Sequence, residues 1–383
     1  MNCQKELFSL DLDVHYINGA YMSPLTKKVE QAGIEGVFIK SKPYKVGPKH
    51  FFEDVETLRA LFAQLINAEK IERIAIIPSV SYGMAIVANN IQIKPGGNII
   101  ISEAQFPSHV YPWLDIAREK NLEIRTIAYP SGDNRAEKMN ADILAAIDDK
   151  TVLVALPHVH WSHGTKYDLE TIGVAARKHN AYFVIDGTQS VGALPFNVQK
   201  FKCDALICGG YKWLMGPYTL GYAYFNEKFD TAKPIEQGWI TRLGAEDFSQ
   251  LSNYTPQFKP HAMKFDMGER SNFVAIPMAI EALKQILEWG VENIQPYLKN
   301  ISEKSIEELR ALGCWVEQEN GRGNHLFGVQ LPKSIDLKSF PDVLKAQKIF
   351  VGVRGDFMRV SPHVYNTETD MQALVLAVKN AIV

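Results

Sequence analysis

Between residues 73 and 225, short apolar runs alternate with stretches that repeat apolar residues at helical spacing. The runs have the length and β-branched composition of strands. This alternation predicts an α/β fold with a mostly parallel sheet and helices on both faces. The predicted strands are 73–79, 98–103, 124–129, 151–157, 181–186, 205–209 and 221–225, and the predicted helices are 53–67, 82–90, 111–121, 141–147 and 169–180.

The alternation stops after residue 225, and residues 230–264 are irregular and contain several prolines and glycines. Helices are predicted at 273–289 and 291–312, and strands near 314–319, 326–331, 350–354 and 358–361. At about 150 residues per domain, 383 residues favour two domains. We therefore expect an N-terminal arm (1–14), a large domain (15–255), a linking segment and helix (256–290) and a smaller α+β C-terminal domain (291–383).

Composition excludes several classes of function. The net charge is −2 without a broad basic stripe, which argues against nucleic acid as a partner. No stretch of about 18 apolar residues is present to span a membrane, and the first residues lack the apolar core of a signal peptide. We expect a cytoplasmic protein whose cysteines are reduced thiols, because their spacing matches no zinc site. The four are Cys3, Cys203, Cys208 and Cys314.

In a sheet of this kind the ligand binds beyond the carboxyl ends of the strands. Lys212 follows one predicted strand and two glycines, between Tyr211 and Trp213. Apolar surroundings lower the pKa of a lysine and make its neutral amine available for a Schiff base. The alternative is an exposed lysine on a turn.

Asp186 stands at the end of another predicted strand and precedes a glycine. A carboxylate there suits a cationic ring nitrogen, as in pyridoxal-phosphate (PLP) sites, although aspartate before glycine is also common in turns. Ser79, Val80 and Ser81 lie between a strand and a helix. They are predicted to bind a phosphate through backbone N–H groups, or simply to cap the helix.

Two further segments supply candidate side chains. Three histidines occur between residues 158 and 163, and no carboxylate spacing there supports a metal site. His158, nearest the strand end, is predicted to stack on a flat cofactor ring. Arg359 lies in an apolar strand and is predicted to bind a substrate carboxylate, with a salt bridge between domains as the alternative. Arg354 is a second candidate, and other residues that could line the pocket are Tyr21, His109, Tyr111, Trp113 and Trp161.

Several motifs resemble the class V aminotransferase superfamily of fold-type I PLP enzymes. That group includes cysteine desulfurases, kynureninases and isopenicillin N epimerases. The matching segments cover nearly the whole chain: Y-I-N-G-A-Y-M-S-P at 16–24, D-G-T-Q at 186–189, the lysine motif, and R-V-S-P-H-V-Y-N-T at 359–367.

The resemblance implies a role for each matching residue. The implied cofactor groups are Lys212 for the Schiff base, Asp186 for the pyridine nitrogen, Gln189 for the phenolic oxygen, His158 for the ring face, and Val80 and Ser81 for the phosphate. Arg359 is implied to bind the carboxylate of an amino acid substrate. The segment with Gly268, Glu269 and Arg270 is implied to approach the neighbouring active site of a homodimer.

Two departures from the desulfurase pattern narrow the function. Tyr211 precedes the lysine where desulfurases have histidine, and this is more like kynureninase, where the tyrosine binds phosphate. From Trp315 onward the chain has no cysteine, so a persulfide has no acceptor thiolate. We expect an aminotransferase or an epimerase, with a kynureninase-like enzyme or a carbon–sulfur lyase as the alternative.

Two other classes of protein remain open from the residues alone. A nucleotide-dependent oxidoreductase is disfavoured because no G-x-G-x-x-G follows the first predicted strand. A catalytically silent PLP-fold binding protein is disfavoured because the lysine, the aspartate and the arginine are all intact.

Overall fold

The computed structural model describes residues 1–93 and 95–382. Its strands are β1 His15–Tyr16, β2 Ile74–Ile77, β3 Asn98–Ser102, β4 Glu123–Ile127, β5 Thr151–Pro157, β6 Tyr182–Asp186, β7 Ala205–Gly209, β8 Gly221–Phe225, β9 Trp315–Val316, β10 Phe327–Gln330, β11 Ile349–Phe350, β12 Gly352–Arg354 and β13 Phe357–Val360. Its α-helices are α1 Lys27–Lys40, α2 Glu53–Leu65, α3 Val80–Asn90, α4 Tyr111–Lys120, α5 Arg135–Ala146, α6 Leu169–Lys178, α7 Val198–Phe201, α8 Ala275–Trp289, α9 Val291–Ala311, α10 Phe340–Ala346 and α11 Glu368–Ile382.

The main sheet has the strand order β2-β8-β7-β6-β5-β3-β4. β8 is antiparallel to both of its neighbours, and the remaining pairs are parallel. Successive side chains alternate between the faces: Leu153 and Ala155 pack in one apolar cluster, and Val154 and Leu156 in the other. This architecture confirms the predicted α/β fold with a mostly parallel sheet and a smaller α+β part.

A second, antiparallel sheet has the order β12-β13-β10-β9 and lies C-terminal to the main sheet in the sequence. β1 pairs in parallel with β11, which joins the N-terminal segment to the C-terminal part of the chain. The Gly19 N–H then donates to the Ser361 carbonyl at 3.0 Å. This closure brings residues 18–22 beside β13. The predicted domain boundaries at 255 and 290 stay a prediction.

Helix α1 was not predicted, and its packing explains why. Its buried residues include Gly33 and Gly36, whereas Ile34, Val37 and Phe38 are exposed. A Cβ on Gly36 would lie 2.3 Å from the Phe273 carbonyl oxygen, so glycine permits the close approach. Without an apolar stripe on its buried face, the helix gives no periodic signal.

No helix among the described residues is long and apolar enough to cross a membrane.

A buried ion cluster of Arg59, Arg270 and Asp266 fixes the edge of the main sheet. Asp266 accepts from Arg59 Nη2 at 2.7 Å, from the Ile76 N–H at 2.8 Å and from Arg270 Nη1. Burial opposes ionisation of Asp266, but the charges of the two arginines hold the pKa of its carboxyl below the ordinary value. The cluster therefore ties the segment after residue 265 to β2.

Replacing Asp266 tests how much this cluster contributes to the free energy of unfolding. Asp266→Asn removes the buried carboxylate between two buried guanidinium groups and leaves them only the partly exposed Glu56, so we expect the free energy of unfolding to fall by about 3–5 kcal/mol. Glu170→Gln, which breaks an exposed ion pair with Lys200, is the control and should cost less than about 1 kcal/mol. Equal, small losses for both variants in denaturant titrations would contradict the assignment.

Candidate active site

A cavity of about 310 Å³ opens at the carboxyl ends of the central parallel strands. The segments after β2, β3, β5, β6 and β7 each contribute to its wall. The lining includes Ser79, Val80, Ser81, Gln105, Phe106, Val159, Trp161, Asp186, Thr188, Gln189, Tyr211 and Lys212. Most of the predicted site residues therefore meet in one place.

Lys212 lies in the tight loop between β7 and β8. The Gly210 N–H donates to the Leu220 carbonyl at 2.8 Å, and a Cβ on Gly210 would lie 2.7 Å from that oxygen. The Lys212 side chain is only 7% exposed. Burial, together with the positive charge of Arg359, lowers the pKa of its amine to about 8, whereas Asp186 acts in the opposite direction. The amine is therefore partly neutral near pH 8.

Asp186 ends β6, and its Oδ1 accepts from the Thr188 N–H at 2.8 Å. Burial raises the pKa of this carboxyl, and Thr188 and Lys212 oppose the rise. A cationic partner in the cavity would stabilise the carboxylate further. The geometry thus fits a protonated ring nitrogen.

Helix α3 begins at Val80, two residues earlier than predicted, so its first turn borders the cavity. Ser79 caps the helix by accepting from the Tyr82 N–H at 3.2 Å, and its hydroxyl lies 2.9 Å from that of Ser81. The N–H groups of Val80 and Ser81 have no carbonyl partner within the helix. Free N–H groups and hydroxyls at a helix start suit a phosphate.

The side-chain amide of Gln189 is held in one orientation. The Trp213 indole N–H donates to Gln189 Oε1 at 2.9 Å, and Gln189 Nε2 donates to the Ala20 carbonyl at 3.1 Å. Because an indole N–H only donates, the amide oxygen faces Trp213. One N–H of Gln189 remains for a cavity ligand. Trp213 thus positions a residue of the cavity, a role that its place next to Lys212 in the sequence does not predict.

His158 does not reach the cavity, contrary to the predicted stacking role. It follows Pro157, which lines the cavity, and strand alternation directs the next side chain to the opposite face. Its ring packs against Phe196 and Phe201 at centroid distances of 5.4 and 5.3 Å. Burial lowers the pKa of His158 to about 3, so the ring is neutral.

Phe106 supplies the aromatic ring that His158 does not. Lys212 Nζ lies 5.6 Å from the centroid of the Phe106 ring. Phe106 follows β3, and the rule that site residues come just after each strand could have found it. Trp161, named as a possible pocket residue, also lines the cavity, whereas His109 and Trp113 are buried outside it.

A second cavity of about 430 Å³ adjoins the first, and both are lined by Lys212, Phe106 and Trp161. Arg359, Arg354 and Tyr21 line it as well, in agreement with their predicted place in the pocket.

Arg359 presents unused donors. Its Nη1 donates to the Trp161 carbonyl at 2.9 Å, whereas Nε and Nη2 are buried and have no partner among the described residues. Burial, with the charge of Arg354, lowers the pKa of Arg359 to about 10. A guanidinium group with two unpartnered nitrogens, in a residue that lines the same cavity as Lys212, suits a carboxylate.

Tyr211 lines both cavities and packs edge-on against Tyr218 at a centroid distance of 4.6 Å. Burial raises the pKa of its hydroxyl, which therefore keeps its proton near neutral pH. The predicted contact with a phosphate stays a prediction.

The segment predicted to approach a neighbouring subunit also forms contacts within its own chain. Arg270 is fully buried in the ion cluster with Asp266, and its predicted place near the neighbouring active site stays a prediction. The Gly268 N–H donates to Glu236 Oε2 at 2.5 Å. Glu269 is exposed and adopts a positive φ of 54°.

None of the four cysteines lines either cavity. Cys203, Cys208 and Cys314 are buried, and burial raises the pKa of each thiol, to about 11 for Cys314. These thiols lack the reactivity that persulfide chemistry requires.

Residues 47–374 match the family model for aminotransferase class-V, and the chain therefore belongs to this family. Family membership makes it a PLP-dependent enzyme. The chain is 25% identical to the uncharacterized aminotransferase YcbU of Bacillus subtilis over 85% of its own length and 83% of the relative. It is 27% identical to a cysteine desulfurase of Shigella sonnei, covering 76% of the chain and 70% of the relative.

Solved structures share the fold. A cysteine desulfurase of Thermococcus onnurineus NA1 superposes with a TM-score of 0.85 at 22% identity, covering 100% of this chain and 98% of that one. The cystine C-S lyase C-DES, in complex with cysteine persulfide, gives 0.83 at 20% identity, covering 96% and 97%. The residues of the cavity fit the family's cofactor: an amine for its aldehyde, a carboxylate for its ring nitrogen and a helix start for its phosphate.

The lowered pKa of Lys212 predicts how its reactivity depends on pH. We expect reductive methylation of Lys212 in cofactor-free protein to accelerate with a midpoint near pH 8, because only the neutral amine attacks an aldehyde. Asp186→Asn should move the midpoint lower, because the carboxylate favours the charged amine. Peptide mass spectrometry measures the rate, with the exposed Lys178 in the same digest as reference. A midpoint near the ordinary lysine value of about 10.4 would contradict burial of the amine.

Proposed function

We propose that this protein is an aminotransferase that acts on the α-carbon of an amino acid, with Lys212 as both the attachment point of the cofactor and the catalytic base. The observation that carries this proposal is that Arg359, which has two buried donors without a partner among the described residues, lines the same cavity as Lys212. When bound, the cofactor supplies an electron sink for the α-carbon.

The residues around the cavity divide the remaining work. Arg359 binds the α-carboxylate and thereby orients the α-proton toward the Lys212 amine. Asp186 keeps the ring nitrogen protonated, and the free N–H of Gln189 binds the phenolic oxygen. Phe106, instead of His158, packs on the ring face. The phosphate is bound by the first turn of α3 through Val80 and Ser81, with Tyr211 as a further donor.

Lys212 is the base that we propose among the residues lining the two cavities, because its side chain ends in an amine. Tyr211 is a poor base because the pKa of its hydroxyl is raised. A single base moves protons on one face of the substrate, which favours transamination over epimerisation, where a proton returns to the opposite face. An epimerase, a kynureninase-like enzyme and a carbon–sulfur lyase are the competing activities. Cysteine desulfuration is disfavoured because no described cysteine lines the cavities.

We also propose that the chain forms a homodimer. Exposed apolar side chains on α1 (Ile34, Val37 and Phe38) and on the segment after β8 (Trp239, Leu243 and Tyr254) support this proposal, because such groups commonly mark an interface. Gly268, Glu269 and Arg270 remain the candidates near the neighbouring site. The cytoplasmic location stays a prediction.

Lys212→Ala is the first test of the proposed function. Wild-type protein should carry a visible absorbance band that borohydride removes, and the variant should lose both the band and all turnover. Lys178→Ala, at an exposed position of α6, should keep both. Covalent attachment of the cofactor to Lys212→Ala after borohydride reduction would refute the assignment of the lysine.

A single-turnover reaction with a panel of amino acids separates the competing activities. An aminotransferase converts the cofactor to its amine form and releases an oxo acid. An epimerase instead exchanges the α-proton with deuterium from solvent without such conversion, and a lyase releases the side-chain fragment. Arg359→Lys should lower kcat/KM by about 10- to 100-fold, because the bidentate contact is lost.

A further inference from the structure

The second cavity has an excess of positive charge. Its charged lining residues are Arg354, Arg359 and Lys212, and none of the described residues that line it is acidic. Lys212 loses its ammonium charge when it carries the cofactor, which leaves two guanidinium groups. An α-carboxylate neutralises only one of them.

The hairpin of β12 and β13 directs both arginines to the same side. Arg359 pairs with Gly352 across the ladder, and Arg354 lies two residues from Gly352 on the same strand. Because side chains alternate with a period of two, Arg354 and Arg359 are diagonal neighbours on one face. Diagonal neighbours are about 7–8 Å apart, which leaves room for two acidic groups of one small molecule.

Both guanidinium groups have free donors, and neither forms an ion pair with a carboxylate among the described residues. Arg359 has no partner for Nε and Nη2 among the described residues, and a Cβ on Gly352 would lie 3.2 Å from each, so glycine permits this position of the guanidinium group. Arg354 bonds only its own neighbour, from Nη1 to the Val353 carbonyl at 2.7 Å. Among the described residues, neither arginine lies within ion-pair distance of a carboxylate. Trp161 lies between them, with its carbonyl on Arg359 and its ring 5.8 Å from Arg354.

We infer that the substrate is an amino acid with a second acidic group, whose α-carboxylate binds Arg359 and whose side-chain anion binds Arg354. This inference rests on the proposed function and names the substrate class of the same site. Asp- and Glu-like dicarboxylates have this chemistry. Their amides have the same shape without the second charge.

Calorimetric titration of the holoenzyme with unreactive ligands tests the inference. Succinate and glutarate lack an amine, and succinamate and glutaramate are their monoamides. We expect the dicarboxylate that binds better to bind at least about 10-fold more tightly than its monoamide. One charge-assisted hydrogen bond supplies a free-energy difference of this size. Arg354→Gln should remove this difference by weakening the dicarboxylate alone.

Two control variants define the comparison. Arg359→Gln should weaken dicarboxylate and monoamide alike, because both present the carboxylate that Arg359 binds. Arg118→Gln, at an exposed position of α4, should leave both affinities unchanged. Equal affinity of the wild type for dicarboxylate and monoamide would overturn the inference. So would an Arg354→Gln variant that weakens both equally, since the two arginines would then share one carboxylate.

The reaction with amino acids separates this inference from the proposed function. We expect kcat/KM for aspartate or glutamate to exceed that for the matching amide at least 10-fold. Faster reaction of neutral amino acids would overturn the inference and leave the proposed function standing. Evidence that Lys212 does not attach the cofactor would overturn the proposed function. The calorimetric comparison of dicarboxylate and monoamide would still decide the role of Arg354.

Discussion

Two opposing effects act on the Lys212 amine in its loop between β7 and β8. Burial and the nearby charge of Arg359 favour the neutral amine, and Asp186 favours the ammonium form. The balance leaves a pKa of about 8, at which both forms are populated near neutral pH. An amine in this range serves as a nucleophile toward an aldehyde and later as an acceptor of a proton. The remaining residues of the site act around this group.

The parts of the site that follow from sheet topology could be predicted from the sequence. Lys212, Asp186 and the segment 79–81 follow strands whose apolar runs are easily recognised, and parallel strands bring their carboxyl ends to one edge. His158 also follows a strand, but a one-residue difference decides which face a side chain occupies. Its ring therefore lies against Phe196, and Phe106 takes the place at the cavity.

Other features depend on contacts that no local pattern reports. α1 packs through small residues against α8, so it has no apolar stripe to recognise. The motif containing Arg270 predicts a place near a neighbouring subunit, but no local pattern indicates that the residue also pairs with Asp266 inside its own chain. The orientation of Gln189 depends on Trp213, which follows the lysine in the sequence. No sequence pattern predicts that the indole N–H of Trp213 donates to Gln189.

The closure between the two ends of the chain positions the strand that carries Arg359. β13 carries Arg359 from the C-terminal sheet to the cavity, and the bridge between Asn18 and Ser361 holds the N-terminal segment against it. Ala20, in that segment, accepts from Gln189 and so links the same closure to the cofactor side of the site. The main sheet therefore provides the chemistry of the lysine. In the proposed function the hairpin of β12 and β13 selects the anion, because both of its arginines line one cavity.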